Sequence, residues 1–161
     1  MRAARADDAA AIASLWIEWG REYEQLDGEL FRVPSGNGLV TWFAGRIESA
    51  TEDQAWLVAE RGGAVVGFLH AEVWRPNEEA EWSPLVEDGT TTLRVGLLGV
   101  TASARRLGVA AALSRAAEAW GRERGAVRAF VIAMSDSPTA IPFYTGQGFR
   151  PFTTGFWKAL S

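Results

Sequence analysis

The spacing of apolar positions changes several times along this chain, and each change marks an element. Ile12, Leu15, Trp16, Trp19 and Tyr23 recur at helical spacing and form one stripe of an amphipathic helix. Residues 1–5 read as a short strand before it, with Asp7 or Asp8 as the helix N-cap. A glycine-containing loop, 34–38, leads to a second helix that carries Val40, Trp42, Phe43 and Ile47. The period then shortens. Residues 55–60 and 64–74 are β-prone, and Arg61-Gly62-Gly63 supplies the turn of a hairpin. The acidic stretch 75–89, with Pro76 and Pro84, reads as a loop. Residues 90–100 form a third strand, in which Gly96 and Gly99 predict a bulge or a close backbone approach.

The clearest helix follows. Val109, Leu113, Ala116 and Trp120 share one face, Arg115, Glu118 and Arg122 another, and Gly125 supplies the stop. Residues 126–134 then read as a buried strand, 139–147 as a short helix and 149–160 as a closing strand region. Strands and helices alternate only in part, which predicts an α/β domain with a mixed sheet.

Bulk composition narrows the chemistry. A chain of 161 residues, 48% apolar and 22% charged, suits one domain spanning 1–161. The net charge of −4 argues against a duplex-DNA partner, which needs a basic face. The chain has no cysteine and one histidine, which removes thiolate nucleophiles, disulfides and ordinary zinc sites. No apolar run approaches the ~18 residues of a membrane span. The basic-then-apolar start is interrupted by Asp7, Asp8 and Glu18, so a signal peptide is rejected and the cytoplasm is expected.

The segment LLGVTASARRLGVAAAL runs strand, turn, helix. Small residues at Gly108 and Ala110 leave the helix N-terminal N–H groups uncovered, and Arg105 and Arg106 add positive charge at the same end. Unpaired donors and the helix dipole together favour an anion such as a pyrophosphate. A tight strand-to-helix turn with two solvated arginines would show the same local pattern.

The register of this segment resembles the cofactor motif of the GNAT acetyltransferases, Q/R-x-x-G-x-G/A, met here at Arg105, Gly108 and Ala110, with Val100 ending the strand five residues earlier. A second signature of that family is matched by SPTAIPFYTGQGF at Ala140, Phe143, Tyr144, Gly148 and Phe149, and the opening MRAARADDAAAIASL is similar to the family's first strand and helix. The resemblance implies a GNAT fold: a mixed, mostly antiparallel sheet, flanked by helices, with two splayed parallel strands in its middle, here 97–100 and 127–133. It implies acetyl-CoA as co-substrate, with pantetheine along backbone near Leu98 and Val100. Its pyrophosphate would lie on the loop formed by Arg105, Arg106, Leu107, Gly108, Val109 and Ala110. Tyr144 would face the cofactor sulfur and act as general acid. Ser137 stands where the family usually has Asn; followed by Pro138, it also reads as a helix cap. Pro142 is harmless only in the first turn of its helix, which places the start near Thr139.

An amine acceptor, with a pKa of roughly 10.4 for a lysine-like group, must lose a proton before or during attack. The strand 90–100 holds Arg94 but none of the acidic residues that many members of this family use there. His70 and Glu72, on one face of the preceding strand, are the candidate bases. A structural histidine and a solvated strand end are the alternatives. Glu22, Glu24 and Glu29 near the first helix could also reach an acceptor. Trp42 and Trp82 would hold a cationic or aromatic amine if exposed, whereas Trp16 and Trp19 read as packing. The acidic loop, with Glu78, Glu79, Glu81, Glu87 and Asp88, would attract a cation or simply solubilise the chain. Direct transfer to an amine in a ternary complex is the expected reaction; a non-catalytic acyl-CoA-binding module is the alternative. A nucleotide-phosphate binder is a weaker third, since the loop lacks the Lys-Ser/Thr of a P-loop. No metal, nucleic acid or membrane partner is expected, and a homodimer is compatible with the sequence.

Overall fold

The computed structural model describes residues 1–77, 80–156 and 158. These fall into two units, Met1–Val131 and Ile132–Ser161. In the first, strands β1 (Arg2–Ala3), β2 (Gln54–Arg61), β3 (Ala64–Trp74), β4 (Thr92–Val100) and β5 (Arg128–Val131) lie side by side in chain order. All neighbours are antiparallel except β4 and β5, which are parallel. Helices α1 (Ala9–Leu26), α2 (Leu39–Glu48) and α3 (Val109–Glu123) complete the unit.

The β2–β3 turn places Gly62 and Gly63 at φ of 59° and 79°. Both central positions are left-handed, the geometry of a two-residue hairpin turn, and glycine adopts it without a Cβ penalty. Each face of the sheet carries its own core. Ile12, Ala13 and Leu15 of α1 and Phe43 of α2 pack on Trp56, Val58 and Phe68. Leu113 and Ala117 of α3 pack on Leu69, Ala71, Leu93 and Val95.

The fully buried line of α3 is Leu113, Ala117 and Gly121, with Ser114 beside it. Val109, Ala116 and Trp120 are half-buried flanks of that line, so the stripe is rotated from the expected one. Small residues lead because the helix lies close to the sheet: a Cβ on Gly121 would stand 3.1 Å from Leu93 Cδ1. Its end is a Schellman motif. Gly125, at φ 83°, donates to the Arg122 carbonyl, and Ala126 donates to that of Gly121.

Three expectations need correction. Asp8 makes no side-chain cap to α1. Its carboxylate instead takes both terminal nitrogens of Arg2, at 2.7 and 2.8 Å, and the Arg5 N–H at 2.7 Å. A short 3-10 turn, Ala6–Asp8, precedes the helix, and an arginine partner outcompetes the weaker backbone donors. The strand expected at 126–134 shrinks to Arg128–Val131, with Val127 and Ile132 each 71% exposed. Among the described residues only β4 pairs with it, so its apolar run is covered there on one edge. Residues 149–156 and 158 belong to no strand, and Phe156 is exposed; Trp157, Ala159 and Leu160 lie outside the described residues. β5 therefore closes the described sheet.

In the second unit, α4 (Ala140–Gly146) puts Pro142 in its first turn, where a missing N–H costs nothing. The N-cap is Thr139, so Ser137 and Pro138 are not the expected N-cap and N1 pair; Ser137, buried, accepts the Ala140 N–H at 3.1 Å from two residues before the cap. A second Schellman motif ends this helix: Gly148, at φ 89°, donates to the Thr145 carbonyl and Phe149 to that of Tyr144. The accompanying apolar contact is the Tyr144–Phe149 ring pair, with centroids 5.5 Å apart. The Tyr…Gly-Phe pattern is thus a helix stop that orients the tyrosine ring.

Candidate active site

The parallel pairing of β4 with β5 runs from Thr92↔Arg128 to Val95↔Val131 and stops, while β4 continues five residues to Val100. On its other side β4 stays paired with β3 through Gly67↔Val100. Thr101 donates to the Val66 carbonyl, which fixes the alternation along that antiparallel ladder. The backbone groups of Gly99 and Leu97 therefore also turn toward β3. Those of Leu98 and Val100 turn away, onto the edge that β5 has left.

Gly96 is the bulge that makes this possible. The β3–β4 register shifts at His70/Ala71, opposite Gly96. Before the bulge, Leu93 and Val95 face α3; after it, Leu97 faces α1 and Leu98 faces α3. Both strand glycines are close-approach positions as expected. A Cβ on Gly96 would lie 3.0 Å from His70 Nδ1, and one on Gly99 would lie 2.7 Å from the Phe68 ring.

Past Val100 the chain makes a short 3-10 turn, Ala102–Ala104, and enters the glycine loop. Arg106 has φ 60°, and among the described residues it is the non-glycine one with positive φ. Left-handed backbone at an arginine is strained and needs a surrounding that holds it. Gly108, at φ 78°, is the N-cap of α3 and offers no side chain to its first N–H groups. Nothing lies within 4 Å of where its Cβ would be. Val109, Ala110 and Ala111 thus present uncapped donors at the positive end of a 15-residue helix.

The two arginines of the loop differ. Arg105 Nη2 meets Glu22 at 2.5 Å and Glu18 at 3.4 Å, and its Nε donates to the Val100 carbonyl at 3.2 Å. Glu18 also takes the Ala102 N–H at 3.0 Å. The loop is therefore tied to α1 by carboxylates that no sequence pattern singles out, since they lie 83 and 87 residues from Arg105. Arg106 and Leu107 are exposed.

His70 and Glu72 share one face of β3, as expected, but their surroundings differ. His70 is only 7% exposed, its ring lies 4.4 Å from that of Trp56, and its Nε2 is buried with no partner among the described residues. Burial holds the imidazole below its ordinary pKa; Arg46 and Arg94 push the same way, and Glu72 opposes them. Glu72 is half-buried and accepts from Arg94 Nη1 at 2.9 Å across the Glu72↔Arg94 register pair. Arg94 lies over the Trp74 ring, 4.7 Å from its centroid. Arg94 and Trp74 are the residues that sequence reasoning passed over, because only the strand register brings them together with Glu72.

Trp16, Trp19 and Tyr23 stack along α1, with centroids 4.7 and 3.9 Å apart, in keeping with packing. Trp42 is 51% exposed with Arg46 above it, at 5.8 Å, and Trp82 is exposed in the short 3-10 turn Ala80–Trp82. Glu78 and Glu79 lie outside the described residues. Glu24 accepts the Val33 N–H, and Glu29 donates its own N–H to Asp27. Ser137 and Tyr144 belong to the second unit, where the Tyr144 ring packs edge-on between Phe143 and Phe149. Among the described residues no group of three His, Asp or Glu side chains could hold a metal ion, and no helix is long and apolar enough to cross a membrane.

A strand edge opened beside an uncapped helix N-terminus suits an extended ligand with phosphates at one end. The chain belongs to the acetyltransferase (GNAT) family, whose family model matches residues 9–149. No curated protein matches it. Among solved structures it is similar to the BH1408 protein of Bacillus halodurans, in a tetramutant form, at 17% identity and a TM-score of 0.83, over 99% of this chain and 98% of that one. A transcriptional regulator from Bacillus halodurans C-125 aligns at 20% identity and a TM-score of 0.74, over 99% and 97%. An aminoglycoside acetyltransferase from an uncultured soil metagenomic sample aligns at 23% and 0.66, also over 99% and 97%. At these identities the neighbours speak for the fold, which is the α/β GNAT fold.

Proposed function

We propose that this protein is a single-domain acetyltransferase that moves an acetyl group from acetyl-CoA to a primary amine by direct attack in a ternary complex. The observation that carries the reading is the open edge of β4 leading into the glycine loop and the bare N-terminus of α3. The residues fit coenzyme A: Leu98 and Val100 offer strand-like backbone groups to pantetheine, and Val109, Ala110 and the glycine at 108 offer N–H groups and space to the pyrophosphate. Arg106 and Leu107 flank that space, and Arg105 holds the loop to α1. The thioester supplies the activated acyl group. A backbone N–H near Val100 is a donor to its carbonyl oxygen, where negative charge develops.

Glu72 is the better of the two candidate bases. Its carboxylate is part-exposed and commits one oxygen to Arg94, whereas the His70 nitrogen is sealed beneath Trp56. His70 then serves as a packing residue against the Gly96 bulge. Tyr144 is assigned as the general acid toward the departing thiolate, whose conjugate acid has a pKa of roughly 8.5 by analogy with cysteine. The cytoplasm is the proposed compartment. The alternative is a binding module without catalysis, which the lack of an acidic residue on β4 favours and Tyr144 opposes.

Thiol release across an amine panel tests the activity itself. Tyr144→Phe keeps the ring and removes only the hydroxyl. It should lower kcat about ten- to a thousandfold with little change in acetyl-CoA affinity. The loss should shrink with a donor whose leaving thiol is more acidic. A Tyr144→Phe enzyme at wild-type rate would remove the general-acid assignment.

A further inference from the structure

We infer that the acceptor is a zwitterion, an amine carrying its own carboxylate as a free amino acid does, and that Arg94 and Glu72 read its two charges. The inference deepens the acetyl-transfer reading and rests on it.

The position follows from strand parity. Leu93 and Val95 face α3, so Arg94 between them faces the side of α1 and α2. Arg94 pairs with Phe130 in the parallel register, one step before the last pair, Val95↔Val131. The backbone of Arg94 therefore stands one pair before the sheet edge opens, on the strand whose Leu98 and Val100 backbone faces the cofactor groove.

The chemistry follows from how Arg94 is held. Trp74, 48% exposed, lies 4.7 Å beneath it and sets the plane of the fork. Glu72 takes Nη1, and among the described residues it is the carboxylate that Arg94 meets. Among the described residues Nε and Nη2 meet no acceptor, and they form a parallel pair of donors, the pattern that binds a carboxylate through two hydrogen bonds. Glu72 commits one oxygen to Arg94, so an ammonium on a ligand held by Arg94 would be drawn to the same carboxylate. Glu72, the proposed base, would then take the proton from the amine that attacks.

The local charge balance agrees. Arg46 and Arg94 both push the His70 pKa down, and among the described residues Glu72 is the carboxylate that opposes them. Arg75 on the neighbouring strand end is neutralised by Asp53 at 2.6 Å. The two exposed tryptophans of this region, Trp42 and Trp74, each already carry a guanidinium. A simple cationic amine would meet like charge at both rings, whereas an amino acid brings the anion that the surplus positive charge lacks.

The test compares matched acceptors in acetyl-CoA turnover: L-amino acids, their amides and their decarboxylated amines. The free acids should exceed the amides in kcat/KM by about tenfold or more, since a charged donor left without its acceptor is costly. Arg94→Gln should raise KM for the acids toward that of the amides and leave the KM for acetyl-CoA unchanged. Arg94→Lys, which keeps the charge but not the fork, should fall between them and serves if the glutamine variant does not fold. Equal kcat/KM for acids and amides, or a preference that survives Arg94→Gln, would overturn the inference. Calorimetric titration of the same acids and amides into the protein with coenzyme A reads recognition without chemistry. Saturable binding of acids but not amides, with no turnover of any amine, would refute acetyl transfer and leave the recognition standing. Equal heats for the two series would refute the recognition.

Discussion

Arg105 occupies the first position of the cofactor motif, yet its guanidinium faces α1, and Arg105→Ala shows what that costs. The side chain makes two ion pairs, with Glu22 and Glu18, and donates to the Val100 carbonyl. All three side chains are between a third and a half exposed, so each pair is worth about 0.2–1 kcal/mol and the carbonyl bond about 0.5–1.5 kcal/mol. The total is about 2 kcal/mol, which lowers Tm by roughly 4–8 °C in a domain of this size. If the contacts order the loop, that free energy must be supplied on binding instead. The Kd for coenzyme A would then rise by at most about 30-fold, at 1.4 kcal/mol per decade. Pantetheine, which lacks the phosphates, separates the roles. A loop clamp weakens both ligands when removed; a phosphate ligand weakens coenzyme A alone. Glu22→Gln adds a check of sign, because it removes the shorter of the two ion pairs without deleting Arg105. Coenzyme A titrated by calorimetry should bind Glu22→Gln more weakly than wild type. Tighter binding there, or an Arg105→Ala defect confined to coenzyme A, would refute the clamp.

Two further outcomes are expected. Gly108→Glu adds bulk, a negative charge and a left-handed residue at φ 78°; Gly108→Ala adds only the backbone strain, about 1–2 kcal/mol. Both should lower Tm similarly, but only the glutamate should weaken coenzyme A by well over tenfold, and equal affinities by calorimetry would remove this loop from the phosphate site. Asp8, held by Arg2 and the Arg5 N–H, has its carboxyl pKa lowered, chiefly by the Arg2 hydrogen bonds. A depressed folded pKa gives stability that is full above the unfolded value of roughly 3.9 and lost as pH falls through the folded one. Asp8→Asn should cost about 1–3 kcal/mol at pH 7, since Arg2 keeps Glu60, and progressively less below pH 4. Denaturant melts at pH 7 and pH 3 check this, and a cost that does not shrink in acid would refute it.

Local chemistry was readable from the residues. The paired glycines at 62 and 63 specify their hairpin, and Gly125 and Gly148 each stop a helix through a left-handed residue. Each depends on contacts within a few positions, so one chain segment contains all the physics. The strand-turn-helix around Gly108 and the short helix that carries Tyr144 were readable for the same reason, as short motifs in the right order. What spacing could not determine is whatever depends on register. One extra residue at Gly96 switches the facing of every later side chain on β4, and so decides which side of the sheet Leu97 and Leu98 occupy. The same register sets Arg94 against Glu72, 22 residues away, and tertiary packing brings Glu18 and Glu22 to Arg105 from more than 80 residues away. Residues 126–134 and 149–160 are apolar enough to be strands, but a strand also needs a neighbour for its backbone groups. The structure supplies one to Arg128–Val131 and to none of the described residues in 149–160, because hydrogen-bond partners belong to the fold and not to the segment.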